Sequence, residues 1–374
     1  MSSKQPNVGD NLLTALVSGC TAAGVSATIT YPFDFIKTQQ QLNNTAYMAK
    51  WKIPGNYPGT IGQLYKGGSA LVLGSVLKNL TRLILYNWLS KFMALESHGH
   101  TKTSAPRIVI AGVISAFFET LCLIPFENIK ITMIQNMTLN NEITRSAQDA
   151  IGNVAKHHKH QAQFGKQYIS PHAYYTSDLI GQAKSRKPSS KFLPPKPHNP
   201  KDALRIKYNQ HPSLTFFGTV REMYSLKGLN AFTAGSCITM VRQVAISTVW
   251  IWTYNSTRQV LDPHNNDQNW FGHKHTAFQL MGLHFLSSCA VIAVTQPLDV
   301  IKTHMQLKNG KAVYRDSLTT AYRLFVEQGP RAMFKGSLPR GIKVLVNGGL
   351  TALVYNYVED VVKVAGGQKV FADE

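Results

Sequence analysis

The chain has 374 residues, a formal net charge of +20 and a mean hydropathy of −0.12. That length admits two or three soluble domains or one membrane domain with a large loop, and the charge suits an anionic partner: nucleic acid, a phospholipid surface or a small polyanion. No stretch approaches twenty uninterrupted apolar residues, which excludes plain hydrophobic anchors but not helices that line a water-filled path and carry polar groups on one face.

In chain order, the N-terminal MSSKQPNVGD has neither an apolar signal core nor an Arg-rich amphipathic pattern, so no cleavable presequence is expected. A first helix is predicted from about Asn11 to Gln41. Gly19, Ala23 and Ala27 on it let backbones approach in lipid, and near its end stands Pro32-Phe33-Asp34-Phe35-Ile36-Lys37. Leu64-Tyr65-Lys66-Gly67 follows, and then a second apolar helix from Gly68 to Lys91. The same order returns twice. A helix from Ser104 to Gln135 carries Pro125-Phe126-Glu127-Asn128-Ile129-Lys130, and Ala231-Phe232-Thr233-Ala234-Gly235 precedes a helix from Ser236 to Arg258. A helix from His275 to Gln306 carries Pro297-Leu298-Asp299-Val300-Ile301-Lys302, and Met333-Phe334-Lys335-Gly336 precedes the last, Ser337 to Lys363. Short amphipathic helices are predicted from Leu214 to Ser225 and from Ser317 to Glu327. The prolines should kink the odd helices.

The shared pattern is Pro, any residue, acid, two residues, base. From this Pro to the later Gly the separation is 35 residues in the first copy, 110 in the second and 39 in the third. The second copy therefore holds an insertion of roughly 70 residues between about Met137 and Pro212, and the expected units are 9–95, 104–262 and 273–365. His157-His158-Lys159-His160, the run from Ser185 to Lys191 and the Pro-rich stretch from Pro194 to Pro200 offer too little apolar surface to fold alone, and read as a solvated basic loop in preference to a metal site. Cys20, Cys122, Cys237 and Cys289 lie in apolar segments without a CxxC pair and read as reduced, structural residues.

An acid and a base three apart on one helix can pair locally, worth a few tenths of a kcal/mol. That explains one copy but not three. Kinked helices converging at one end of a threefold bundle would let each acid meet the base of a neighbour and close a ring.

At these residues the chain resembles the mitochondrial carrier family, over nearly all of its length outside the insertion. The resemblance implies an all-α membrane protein: six transmembrane helices in three pseudo-threefold helix-pair repeats, with short matrix-side amphipathic helices. It implies a matrix gate in which Asp34 pairs with Lys130, Glu127 with Lys302 and Asp299 with Lys37, braced by Gln41 and Gln306, with Ile134 at the third brace position. The family's cytoplasmic gate is an aromatic, an acid, two residues and a base. Here Tyr86, Tyr254 and Tyr355 are followed by Asn87, Asn255 and Asn356 at the acid positions, and the base positions hold Ser90, Arg258 and Glu359. No complete set of ion pairs can form there, so this gate is expected to close weakly.

Charges inside membrane helices are functional candidates by default. Lys78 and Arg82 stand one turn apart on the second helix. Seven residues beyond each later Gly lie Gly74, Arg242 and Lys343, which in the family is the level of substrate contact; Gln243 adjoins, and Arg340 lies about a turn from Lys343. Five cations against one obvious acid, Glu119, make an electropositive path, and an Arg fork can hold a carboxylate through two charge-assisted hydrogen bonds. The stretches from Gly74 to Arg82 and from Pro339 to Asn347 resemble the citrate (tricarboxylate) carrier branch. This implies a mitochondrial inner-membrane transporter that exchanges a small organic anion, a tri- or dicarboxylate such as citrate, by alternating access. It further implies a monomer in contact with inner-membrane phospholipid such as cardiolipin, with both termini toward the intermembrane space. The alternatives are a phosphorylated anion such as a nucleotide or coenzyme A, or a carrier-fold receptor or scaffold that no longer transports. No nucleophile elbow, Walker loop, dinucleotide fingerprint or metal-helix motif occurs, so no enzyme activity, catalytic residue, cofactor or metal is expected. The basic residues do not gather on one element with interleaved aromatics, which argues against nucleic acid.

Overall fold

A computed structural model describes residues 8–42, 60–92, 95–97, 100–102, 105–153, 172–174, 200–261, 277–308 and 316–367. Six long helices dominate: α1 Val8–Leu42, α3 Gly68–Phe92, α4 Ala105–Asn153, α7 Ser236–Leu261, α8 Ala277–Met305 and α10 Ser337–Gly367. Shorter ones are α2 Ile61–Leu64, α5 Pro200–Gln210, α6 Phe216–Lys227 and α9 Ser317–Gln328, and the strands Leu95–Ser97 and His100–Lys102 form a small antiparallel hairpin. Pro32, Pro125 and Pro297 lie inside α1, α4 and α8. α1 packs along α10 and α3, α3 along α4, and α7 along α8.

The interior is polar and the outside apolar. Ser26, Thr30, Asp34, Gln135, Gln296 and Asp299 are buried, while Val25, Ile29, Leu73, Phe117, Val244, Val294 and Leu345 are exposed on the long helices. A chain in water would pack the other way round, so the medium this surface fits is hydrocarbon. Two stretches among the described residues, 61–89 and 285–305, are long and apolar enough to cross a membrane by composition alone.

Each odd helix is tied beside its proline to the turn that opens the following even helix. The Tyr31 hydroxyl donates to the Lys66 carbonyl, Asn128 Nδ2 donates to the Phe232 and Ala234 carbonyls at 2.7 and 3.2 Å, and Gln296 Nε2 donates to the Lys335 carbonyl at 2.7 Å. The three turns end in Gly67, Gly235 and Gly336, with φ of 89°, 72° and 81°, a region that strains any residue with a Cβ. A Cβ added there would meet Lys130 O at 3.2 Å, Gln306 Cγ at 3.2 Å and Lys37 Cγ at 3.1 Å. These three glycines thus seat their turns against the odd helix of the next repeat, and Gly67 also against Tyr31 of its own, whose hydroxyl a Cβ would meet at 2.7 Å.

Two expectations need correction in the insertion. The third long helix does not stop near Gln135 but continues to Asn153, because no Pro or Gly interrupts the chain between Pro125 and Gly152 and because Met137 and Leu139 are buried. Nor is the insertion wholly a solvated loop. His172, Ala173 and Tyr174 are buried, and α5 runs just before α6. Asn209 clamps the backbone of Tyr174, accepting from its N–H at 2.5 Å and donating to its carbonyl at 2.8 Å. The Tyr174 hydroxyl donates to Glu222 Oε1 at 2.8 Å, and Asn136 Nδ2 donates to Glu222 Oε2 at 2.9 Å. Lys308, at the end of the third repeat's odd helix, sits 3.1 Å from Glu222 and 4.5 Å from the centre of the Tyr174 ring. Low-complexity composition hid three residues that pack. The His157 cluster and the runs 185–191 and 194–199 lie outside the described residues.

This docking should depend on pH. Burial, together with the Lys308 charge, lowers the His172 pKa from 6.5 to about 4. Between these values the undocked chain binds more protons, so the docked state is favoured fully above about 6.5 and loses ground as pH falls toward about 4. Hydrogen exchange of the Tyr174 amide should accelerate between about pH 7 and about pH 5 beyond its intrinsic pH dependence, and His172→Gln should flatten that excess.

Candidate functional site: a ring of shared carboxylates beneath a cationic cavity

The three motif acids each face away from their own helix's base and toward a neighbour's. Asp34 Oδ2 lies 3.2 Å from Lys130 Nζ, Asp299 Oδ2 lies 2.5 Å from Lys37 Nζ, and Glu127 Oε2 pairs with Lys302 Nζ. Asp34, Asp299 and Lys302 are buried, and the others are largely so. Burying charges costs several kcal/mol per ion unless partners surround them, which is why the pairs come with extra donors. Gln41 Nε2 donates to Asp299 Oδ2 at 2.9 Å, and the Thr303 hydroxyl, with one proton to share, lies 2.8 Å from Gln41 Oε1 and 2.9 Å from the Asp299 carbonyl oxygen.

Gln306 departs from the expected brace. Its Nε2 points to the Ala234 carbonyl at 3.4 Å, and its Oε1 is buried without a partner, so it holds the Gly235 turn and not the Glu127–Lys302 pair. Among the described residues one ring pair carries a glutamine brace, not two.

Above the ring opens a cavity of about 500 Å³ whose wall includes Lys78, Arg242, Gln243, Arg340, Lys343 and Asn347 as well as the ring itself. Of the five cations expected along the path, three are paired with acids. Lys343 Nζ lies 2.8 Å from Asp34 Oδ2, Arg242 Nη1 lies 3.5 Å from Asp299 Oδ1, and Lys78 Nζ lies 3.1 Å from Glu119 Oε1. Asp34 and Asp299 therefore each serve two bases. Arg340 instead donates to neutral groups, Gln296 Oε1 at 3.0 Å and Thr295 Oγ1 at 2.7 Å. The wall holds seven bases and three acids, and Glu119 behind Lys78 is a fourth acid. A positive excess remains.

Two expected residues are not in this wall. A Cβ on Gly74 would stand 2.8 Å from Phe126 Cβ and 3.3 Å from Leu123 Cδ1, so Gly74 is where α3 meets α4, and its neighbour Ser75 faces the cavity. Arg82 is exposed and lines no part of it. Trp250 and Ser288 also contribute to the wall, and nothing in their sequence neighbourhood singled them out. Toward the other end, Asn87 and Glu359 are half-buried and Asn356 is exposed. The side chains of Asn255 and Arg258 lie outside those described.

The corrected lining is open to test. With Cys20, Cys122, Cys237 and Cys289 changed to Ser, Ser75→Cys should react with a water-soluble thiol reagent and Gly74→Cys should not. Gly74→Ala should lower stability by about 1–3 kcal/mol by overpacking the α3–α4 contact, measured as a drop in Tm of the purified protein.

A family model described as mitochondrial carrier protein matches residues 9–97 and 275–365, the first and third of the three repeats. The chain is 26% identical over 350 residues to mitochondrial citrate transporter A of Aspergillus niger, covering 93% of this chain and 91% of that one. It is 24% identical over 378 residues to the mitochondrial tricarboxylate transport protein of Mus musculus, covering 96% and 94%. An uncharacterised mitochondrial carrier of Saccharomyces cerevisiae is 26% identical over 355 residues, covering 94% and 96%.

Proposed function

Because the chain belongs to the mitochondrial carrier family, we propose that it exchanges a small organic anion, a tri- or dicarboxylate such as citrate, across the mitochondrial inner membrane by alternating access. The observation that carries this reading is the cation excess in a cavity closed at one end by ion pairs. A polycarboxylate supplies several acids at once and would compensate that excess. The names of relatives in Aspergillus niger and Mus musculus support the same class.

The shared acids suggest how binding opens the ring. Lys343 and Arg242 already touch Asp34 and Asp299. A substrate carboxylate competes for both bases, and each carboxylate it displaces is left with one cation in a buried setting. The ring weakens only while substrate is bound, which is the differential interaction an exchange cycle needs. In this reading the ring is the matrix gate, and the Asn87, Asn255 and Asn356 end is a weaker cytoplasmic gate, so the empty carrier rests open to the intermembrane space. Trp250 in the wall favours a second reading, a nucleotide or coenzyme A whose base stacks on the indole.

Exchange in liposomes against a panel of di- and tricarboxylates, nucleotides and coenzyme A separates these readings. Carboxylate exchange is expected, and no exchange of any anion by folded protein would leave a receptor or scaffold. Arg242→Ala and Lys343→Ala should each weaken substrate binding by a few kcal/mol, about two orders of magnitude.

The orientation is proposed with both termini in the intermembrane space and the insertion in the matrix. The insertion carries 12 Lys and Arg against four acids, whereas 92–106 carries one of each, consistent with basic loops facing inward. Protease added to mitoplasts should spare Lys187; cleavage there from the outer face would reverse the topology.

A further inference from the structure

Arg340 is the base in the cavity wall that, among the described residues, has no acid within ion-pair distance. It is nevertheless held in place by two hydrogen bonds. Its two partners, Thr295 and Gln296, are fully buried, and each is itself fixed by a second bond. The Thr295 hydroxyl spends its proton on the Val291 carbonyl at 2.6 Å, so lone pairs are what it offers the guanidinium. The Gln296 amide spends an N–H on the Lys335 carbonyl at 2.7 Å, which turns its oxygen toward Arg340. A guanidinium has five N–H donors, and these contacts use two. The rest of the fork remains for a ligand, and because both partners are neutral the nearest counter-charges, Asp299 and Asp34, act on it only from beyond ion-pair distance.

Comparison within the chain shows that this is a local arrangement. The residue before the motif proline is Tyr31 in the first repeat, Ile124 in the second and Gln296 in the third. Tyr31 makes the same tie to its turn that Gln296 makes, but a phenol that donates to a carbonyl does not also present an amide oxygen to a guanidinium. Ile124 offers no polar atom. Only the third repeat joins the turn tie and the cation.

We propose that Thr295 and Gln296 are positioning residues for substrate, holding Arg340 as a fixed anchor with no directly paired acid, which selects for the additional carboxylate of a tricarboxylate over a dicarboxylate. The anchor rests on the reading of the cavity as a carboxylate path. Lys343 and Arg242 must leave ring acids to bind substrate, whereas Arg340 leaves nothing charged behind. A neutral cradle also explains why an acid is absent here: a carboxylate at Gln296 would satisfy the guanidinium and remove its attraction for an anion.

The test is initial-rate exchange in liposomes with citrate and with succinate as probes, fitted for KM and kcat. Thr295→Val removes one acceptor at nearly constant volume and should raise KM for citrate about tenfold with kcat nearly retained, since a hydrogen bond to a charged group is at stake. Succinate KM should move much less. Gln296→Glu supplies a counter-ion and should erase the preference for citrate over succinate, and Thr295→Ser should behave as the parent. A loss of kcat for both anions with a lowered Tm, not rescued by Thr295→Ser, would show a merely structural role and overturn the proposal. Unchanged KM for both anions in Thr295→Val and Gln296→Glu would also overturn it. In that event Arg340→Ala decides the wider reading: lost exchange keeps the carboxylate path without the positioning, and intact exchange removes the path as well.

Discussion

A carboxylate out of water must have a base beside it, and in the ring of motif acids that base comes from another repeat each time. Asp34, Glu127 and Asp299 reach across to Lys130, Lys302 and Lys37, so none of the helix pairs can satisfy its own motif alone. The cost of desolvation means that such pairs fix geometry more than they add stability. Around them the other contacts fall into place. The pairs set the depth of the odd helices, the ties from Tyr31, Asn128 and Gln296 fix the turns, and the turns set where the even helices begin. With charge gathered inside, the outer surface is left to apolar side chains, and the bilayer serves as its solvent.

The ring is not symmetric in its outer partners. Asp34 and Asp299 each have a second base from the cavity wall, while the contacts of Glu127 within ion-pair distance come from Lys302. Cavity and ring are therefore one electrostatic unit at two of three joints. Brace and anchor are unequal as well. Gln41 and Thr303 reinforce one pair, and Thr295 and Gln296 serve one cation. A pseudo-threefold frame thus carries a site without threefold symmetry, as an asymmetric ligand requires.

Much of this was legible because it is written three times. Motif spacing predicted the six helices, and the neighbour pairing of acids and bases followed from asking what a local pair could not explain. The count of seven residues from each turn found Arg242 and Lys343 but misplaced Gly74. Equal depth does not give equal reach: a long basic side chain extends from a helix–helix seam into the cavity, whereas a glycine at that level stays in the seam, against Phe126. Gln306 was misread for a related reason, since spacing gives the helix face but not which of two nearby acceptors the amide chooses. Tyr174 could not be foreseen, because its partners Asn209, Glu222 and Lys308 lie 35, 48 and 134 positions away and its own neighbourhood looks like a linker.

The glycines that end the three turns have a consequence for how such a sequence can change. Each is wedged against the odd helix of the repeat that follows, Gly67 on Lys130, Gly235 on Gln306 and Gly336 on Lys37. A substitution at Gly235 or Gly336 is felt next door before it is felt at home, and one at Gly67 in both places, since its Cβ would also meet the Tyr31 hydroxyl of its own repeat at 2.7 Å. The repeats are therefore chained in a circle with a direction: damage passes from first to second, second to third and third to first, and compensation has to be sought one step ahead in that cycle. The three repeats are in this way not free to vary separately.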